Sequence, residues 1–237
     1  MSSSGPLVVR WHAIEHAPVE AGAKQLATIE AVNAGTAPWR TRGEKDGIFV
    51  AYHWLDERGN PIVWDGLRTP LEQPVEPGGT LRQTIALRGP IPPGRYRLSV
   101  DLVEEHRFWL AELGNDPLER DLDVLPRDAS QARTFFPDGA EPAAGWREHA
   151  RALHEEGYAA VGGALELERG LLRRTPAELA PYAPGGGRHP RFGHPLVCPS
   201  LLPPLEPNAE VAGLPAYRAD GDEPWMFDGR LVLKVRI

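Results

Sequence analysis

Residues 181–200, PYAPGGGRHPRFGHPLVCPS, gather four glycines, two arginines, two histidines and the chain's single cysteine. His189, His194 and Cys198 stand in an H-x4-H-x3-C spacing. Zinc takes imidazole and thiolate ligands at such short spacings, but a structural site needs a fourth ligand and usually a C-x2-C pair, which is missing. No metal is therefore expected. The run GGGRH (185–189) sets glycine N–H groups together with Arg188 and the nearby Arg191, the makings of an anion cradle. Phosphate loops, however, run from a strand into a helix with G-x-x-x-x-G-K-S/T or G-x-G-x-x-G spacing, and neither occurs. A cysteine nucleophile needs a base held against it, which a few residues of Pro-rich loop do not guarantee. No G-x-S-x-G elbow is present either. The segment reads as an ordered loop, pinned by Tyr182, Phe192 and Leu196, that walls one side of a cleft and offers Arg188 and His189 to a ligand. It calls for no cofactor.

A second group of residues suits a sugar. Trp54 and Trp64 flank one turn, with Tyr52 close by and Asp65 and Arg68 just beyond. Pyranose rings offer an apolar C–H face to an indole and hydroxyls to charged groups. The expected ligand contacts are therefore Tyr52, Trp54, Trp64, Asp65 and Arg68, with Arg188 and His189 from the loop. Trp11, Trp39 and Trp109 read as core and corner fillers. Carboxylates also occur close together in the chain: Glu104/Glu105, Glu155/Glu156, Glu166/Glu168 and Asp220/Asp222/Glu223. Glycoside hydrolysis needs two carboxyls facing across a cleft, about 5 or 6.5–9.5 Å apart, which neighbours in sequence do not supply. They read as solvated faces. His149 and His154 read as surface or packing histidines.

The elements that must position these groups are short. Among 237 residues there are 25 Gly and 25 Pro, and both interrupt helices and central strands. A formal charge of −7 argues against a nucleic-acid partner, since such proteins present basic patches. One cysteine permits no internal disulfide, which suits a reducing compartment. No charged n-region with an apolar core opens the chain, and no apolar run approaches 18 residues, so neither a leader nor membrane insertion is expected. A soluble cytoplasmic protein is the expectation.

The first half alternates with period two. In GIFVAYHWLD (47–56), Phe49, Ala51 and His53 oppose Ile48, Val50, Tyr52 and Trp54. Further strands are expected at 7–15, 25–33, 61–66, 80–87, 95–105, 107–113 and 120–125, with 69–79 as a Pro-rich edge segment. Short strands with regular turn signals predict an immunoglobulin-like antiparallel β-sandwich over residues 1–126. Its motifs VNAGTAPW, YHWLDxxGN, WDGLRTPL, VxPG and PPGRYRLSVDLVEE resemble an Ig-like module of bacterial proteins. That module is appended to glycosyltransferases, methyltransferases and other proteins of cell-surface polysaccharide assembly. More distantly, the sequence is similar to the carbohydrate-binding C-terminal domain of O-antigen ABC-transporter ATPases. The resemblance covers roughly residues 7–125.

Residues 127–237 read as an irregular Pro/Gly-rich α+β extension packed on the sandwich. One helix is expected after Gly145, with Trp146, Ala150, Leu153 and Tyr158 on one stripe and Gly157 at its end. A strand is expected at 158–168, a helical turn at 175–183, and a last strand at 230–237 that joins a sheet. Taken together with the resemblance, these readings indicate a mainly β, non-catalytic module binding a glycan or a polysaccharide-assembly enzyme. The alternative is a small glycan-modifying or sugar-nucleotide-using enzyme, with His189, His194 and Glu166 at the junction of the two halves. Exposed sheet edges leave room for self-association.

Overall fold

Alternation in the first half sorts its side chains onto two sheets that share one core. The computed structural model describes residues 5–41, 47–130, 132–134, 140–169, 172–174, 196–197, 201–202, 209–211, 214–218 and 224–236. The chain divides into two units, Met1–Leu125 and Pro126–Ile237. Strands of the first unit are β1 (Val9–His16), β2 (Lys24–Asn33), β3 (Ile48–Leu55), β4 (Pro61–Val63), β5 (Thr69–Pro70), β6 (Thr80–Arg88), β7 (Gly94–Glu104), β8 (Phe108–Trp109) and β9 (Leu118–Val124). One sheet has the order β1-β2-β6; the other runs β4-β3-β7-β8, with β5 also on β3 and β9 also on β7. Every pairing is antiparallel.

Ile29 and Ala31 of β2 and Leu81, Ile85 and Leu87 of β6 meet Ile48, Val50, Tyr52 and Trp54 of β3 and Leu98, Val100 and Leu102 of β7 in one apolar cluster. This is the expected β-sandwich. It carries a tyrosine corner: the Tyr96 hydroxyl, near the start of β7, donates to the Pro92 carbonyl at 2.8 Å. Buried amides staple the loops to the sheets. Asn33 Nδ2 donates to the carbonyls of Ala37 and Val75, and Asn115 Oδ1 accepts from Val9 N–H at 2.9 Å. At the β3–β4 turn, Asp56 accepts from the backbone N–H groups of Arg58 and Asn60 and from the Asn60 side chain.

The expected strand over 107–113 stops after two residues. Leu110–Leu113 form a 3-10 turn instead. Glu112 accepts the Trp109 N–H at 3.1 Å and Asp101 accepts that of Ala111 at 2.9 Å, so carboxylates take donors that a continuing strand would have given to a ladder.

Regular structure in the second unit exceeds what its Pro and Gly content suggested. Its elements are β10 (Arg133–Thr134), β11 (Ala140–Pro142), α1 (Trp146–Glu155), β12 (Ala160–Arg169), β13 (Leu172–Arg174), β14 (Leu196–Val197), β15 (Leu201–Leu202), β16 (Ala209–Val211), β17 (Leu214–Arg218) and β18 (Trp225–Arg236). One sheet has the order β10-β15-β12-β18-β11, with β13 beside β12; a second has the order β14-β17-β16. The last strand begins five residues before the expected Arg230. It joins β12 in parallel, and a register break at Gly163/Ala164 skips residues 229–231, just after Asp228. In α1, Trp146, Ala150 and Leu153 are buried as the stripe required. Gly157 follows at φ 127°, a conformation that favours glycine. The expected helical turn at 175–183 lies outside the described residues.

Candidate functional site

Because β3 alternates, seating Tyr52 and Trp54 in the core sends His53 to the opposite face. There its cross-strand partner on β7 is Ser99, while Ala51 faces Asp101 and Phe49 faces Val103. Trp109, at the end of β8, pairs with Val103 and so joins the same face. His53 lies between two indoles. Its ring is 4.1 Å from that of Trp64, with planes 20° apart, and 4.1 Å from that of Trp109, tilted by 49°. The indoles themselves meet edge to face at 6.4 Å. His53 Nδ1 donates to the Trp64 carbonyl, which fixes the tautomer and leaves the Nε2 lone pair. Burial lowers the His53 pKa, outweighing the upward pull of the Trp64 carbonyl and Asp65. Trp64 nonetheless remains 55% exposed.

Arg68 closes the group. Its guanidinium carbon sits 5.6 Å from the Trp109 ring centroid, within cation–π reach. Nε donates to Glu105 at 2.6 Å, NH2 to Asp65 at 3.0 Å and NH1 to the Gly66 carbonyl at 3.4 Å. Partial burial works against the charge of Arg68, but the bonds and charges of Asp65 and Glu105 outweigh it and raise its pKa.

Gly66 explains why the segment WDGLR takes this course. Its N–H donates to the Tyr52 carbonyl at 2.9 Å. A Cβ there would lie 2.5 Å from the Tyr52 ring and carbonyl oxygen. The chain passes too close to β3 for any side chain at that point. Trp64 and Arg68 are thereby set on either side of one anchored residue. From the other direction, Asp101 fixes the turn that carries Trp109. Its Oδ2 accepts from Ala111 N–H, and its Oδ1 from Leu102 N–H at 2.8 Å. Burial pushes its carboxyl up to about 6, against the opposing effect of those two N–H groups.

Of the expected contacts, Trp64, Asp65 and Arg68 come together at the surface. Tyr52 and Trp54 do not join them. Tyr52 is 1% and Trp54 0% exposed, so neither ring is open to stack on a ligand. Their polar atoms are satisfied inside: Arg88 N–H donates to the Tyr52 hydroxyl, and Trp54 Nε1 donates to the Arg88 carbonyl, each at 2.8 Å. His53, Glu105 and Trp109 were missed; Trp109, expected as a filler, stands on the outer face. The parity of β3 held the signal for His53, since a residue next to a core tryptophan must face outward. Arg188, His189, His194 and Cys198 lie outside the described residues.

In the second unit, Asp228 of β18 accepts from His149 Nε2 of α1 at 2.8 Å and from Arg230 Nε at 2.9 Å. The Arg230 hydrogen bond is the main cause holding that carboxyl far below the usual range. This bridge ties helix to sheet. His154 is fully buried, and burial lowers its pKa. Among the described residues, no group of three or more His, Cys, Asp or Glu side chains is placed to hold a metal ion, and no helix is long and apolar enough to cross a membrane.

No protein-family model and no curated protein matches the chain. Among solved structures, it is similar to the C-terminal domain of Wzt, with 13% identity and a TM-score of 0.31 over 52% of this chain and 75% of that one. It is similar to a β-glucuronidase of glycoside hydrolase family 2, with 12% identity and a TM-score of 0.31 over 55% of this chain and 12% of that one. A putative β-galactosidase from Bacteroides fragilis shows 14% identity and a TM-score of 0.26 over 70% of this chain and 20% of that one. The chain thus spans a small part of either hydrolase. These likenesses are weak.

Proposed function

We propose that the first unit is a non-catalytic carbohydrate-binding module whose ligand lies on the shelf of Trp64, Trp109 and His53, beside Arg68, Asp65 and Glu105. The observation that carries this reading is Trp64. A half-exposed indole is held in one orientation by His53 stacked beneath it. An aromatic already fixed loses little side-chain freedom on binding, and its free face suits the C–H side of a pyranose. Donors and acceptors for sugar hydroxyls stand beside it in the Arg68–Asp65–Glu105 group. The motif resemblance supplies the setting: bacterial surface-polysaccharide assembly, with a glycan or an assembly enzyme as the partner.

The test is binding of the purified chain to an oligosaccharide array, followed by calorimetric titration of the best ligand. Trp64→Ala is expected to weaken binding by about 2 kcal/mol, roughly 30-fold, as for a central aromatic anchor. Glycan binding that survives this change would place the site elsewhere. An array without a hit would make the module's partner a protein.

A further inference from the structure

Resting on that reading of the shelf, we infer that its ligand is an uncharged oligosaccharide and that sugars bearing a carboxylate or sulfate are rejected. The inference comes from how the cations of this face are held. Arg68 is shared between Asp65 and Glu105. Along the same face of β7, Arg97 is likewise shared, with Asp121 at 3.0 Å and Glu119 at 3.6 Å. Residues 97, 99, 101 and 103 of β7 all point to this side, and their partners Asp121 and Glu119 on β9 do the same. Each guanidinium therefore sits between two carboxylates, and the face carries more negative than positive charge. Arg95, opposite Asp123 at the far end, leaves that balance unchanged.

An anionic sugar would have to displace a carboxylate already bonded to Arg68 or Arg97, and would then leave that carboxylate facing it. A neutral sugar meets no such conflict. Arg68 places three of its five N–H groups on Glu105, Asp65 and Gly66, leaving two to donate to hydroxyls, while carboxylate oxygens accept from others.

The test is calorimetric titration of the full chain with a panel of neutral tetrasaccharides and with tetragalacturonate, at low and at high salt. We expect a neutral tetrasaccharide to bind at least tenfold more tightly than tetragalacturonate, with the gap narrowing as salt screens the carboxylates. The double variant Asp65→Asn, Glu105→Gln frees Arg68 and is expected to bind tetragalacturonate more tightly than the wild type does. Wild-type chain that binds tetragalacturonate as well as any neutral sugar, with the binding lost in Trp64→Ala, would overturn the charge inference and leave the shelf intact. Chain that binds no sugar of either class would overturn the shelf reading, and this inference with it.

Discussion

His53 and Trp64 lie ring over ring, centroids 4.1 Å apart and planes 20° from parallel, on the side of β3 away from Trp54. The imidazole also donates to the Trp64 carbonyl, so one side chain supports both the ring and the backbone of the exposed indole. Its protonation has a definite sign. Burial, the largest cause, lowers the His53 pKa from its ordinary 6.5. The unfolded chain takes that proton at a higher pH than the folded chain does, so the contribution of His53 to stability is fully present above pH 6.5 and falls away below it. His53→Phe keeps a ring between the two indoles and removes the titration. The melting temperature of the wild type should drop relative to that of His53→Phe as the pH falls from about 7.5 to about 5. A constant difference across that range would show that the imidazole titrates as it does in the unfolded chain.

The two tryptophans that flank the β3–β4 turn, Trp54 and Trp64, should behave as opposites. Trp54 fills the core, and truncating a buried tryptophan to alanine costs about 3–5 kcal/mol. Trp54→Ala should lower the melting temperature by roughly 10 °C or more. Trp64 is mostly outside that core, and Trp64→Ala should cost about 1 kcal/mol or less of stability while weakening sugar binding roughly 30-fold. Thermal denaturation of both variants, with calorimetry on the second, separates the roles. Equal losses of stability would mean that Trp64 is structural.

Gly66 gives a sharper test of how the shelf is set. Alanine there places a methyl 2.5 Å from the Tyr52 ring and carbonyl. Part of that contact is backbone, so the 64–68 segment must lift off β3. Gly66→Ala should cost about 2 kcal/mol and weaken sugar binding, since Trp64 and Arg68 lose their common anchor. Retained affinity at reduced stability would show that the two side chains find their positions without it.

Much of the sandwich was legible because its code is local. The alternation through β2, β3, β6 and β7 and the turn chemistry at Asp56–Asn60 each reside in a few consecutive residues. The face was harder to choose. Both sides of β3 carry a ring, Tyr52 and Trp54 on one and Phe49 and His53 on the other, so aromatic content did not say which side met the second sheet. Trp109 reaches His53 only because β8 pairs with β7 and β7 with β3, a relation between residues more than fifty positions apart. The second unit hid its sheets for a similar reason. β12 and β18 pair in parallel across a long stretch of sequence, and a glycine-rich register break interrupts the pattern that would have marked them.

Asp101 supplies the last prediction, and its sign is opposite to that of His53. Burial is the main cause that raises its carboxyl from 3.8 to about 6, so the folded chain holds this proton more tightly than the unfolded chain does. Its contribution to stability is complete below about pH 4 and is lost as the pH rises through about 6. Between pH 5 and 7 the loss is about 1 kcal/mol. Asparagine cannot titrate, although its amide oxygen still accepts the Ala111 or Leu102 N–H. The stability of the wild type relative to Asp101→Asn should therefore fall from pH 5 to pH 7, as read by urea unfolding at each pH. Because Asp101 holds the turn bearing Trp109, sugar affinity should follow: Asp101→Ala leaves the Ala111 and Leu102 donors without their acceptor, frees the turn and weakens binding, while Asp101→Asn retains it. Equal affinity in the alanine and asparagine variants would remove Asp101 from the support of the shelf and leave it a buried acid of the fold alone.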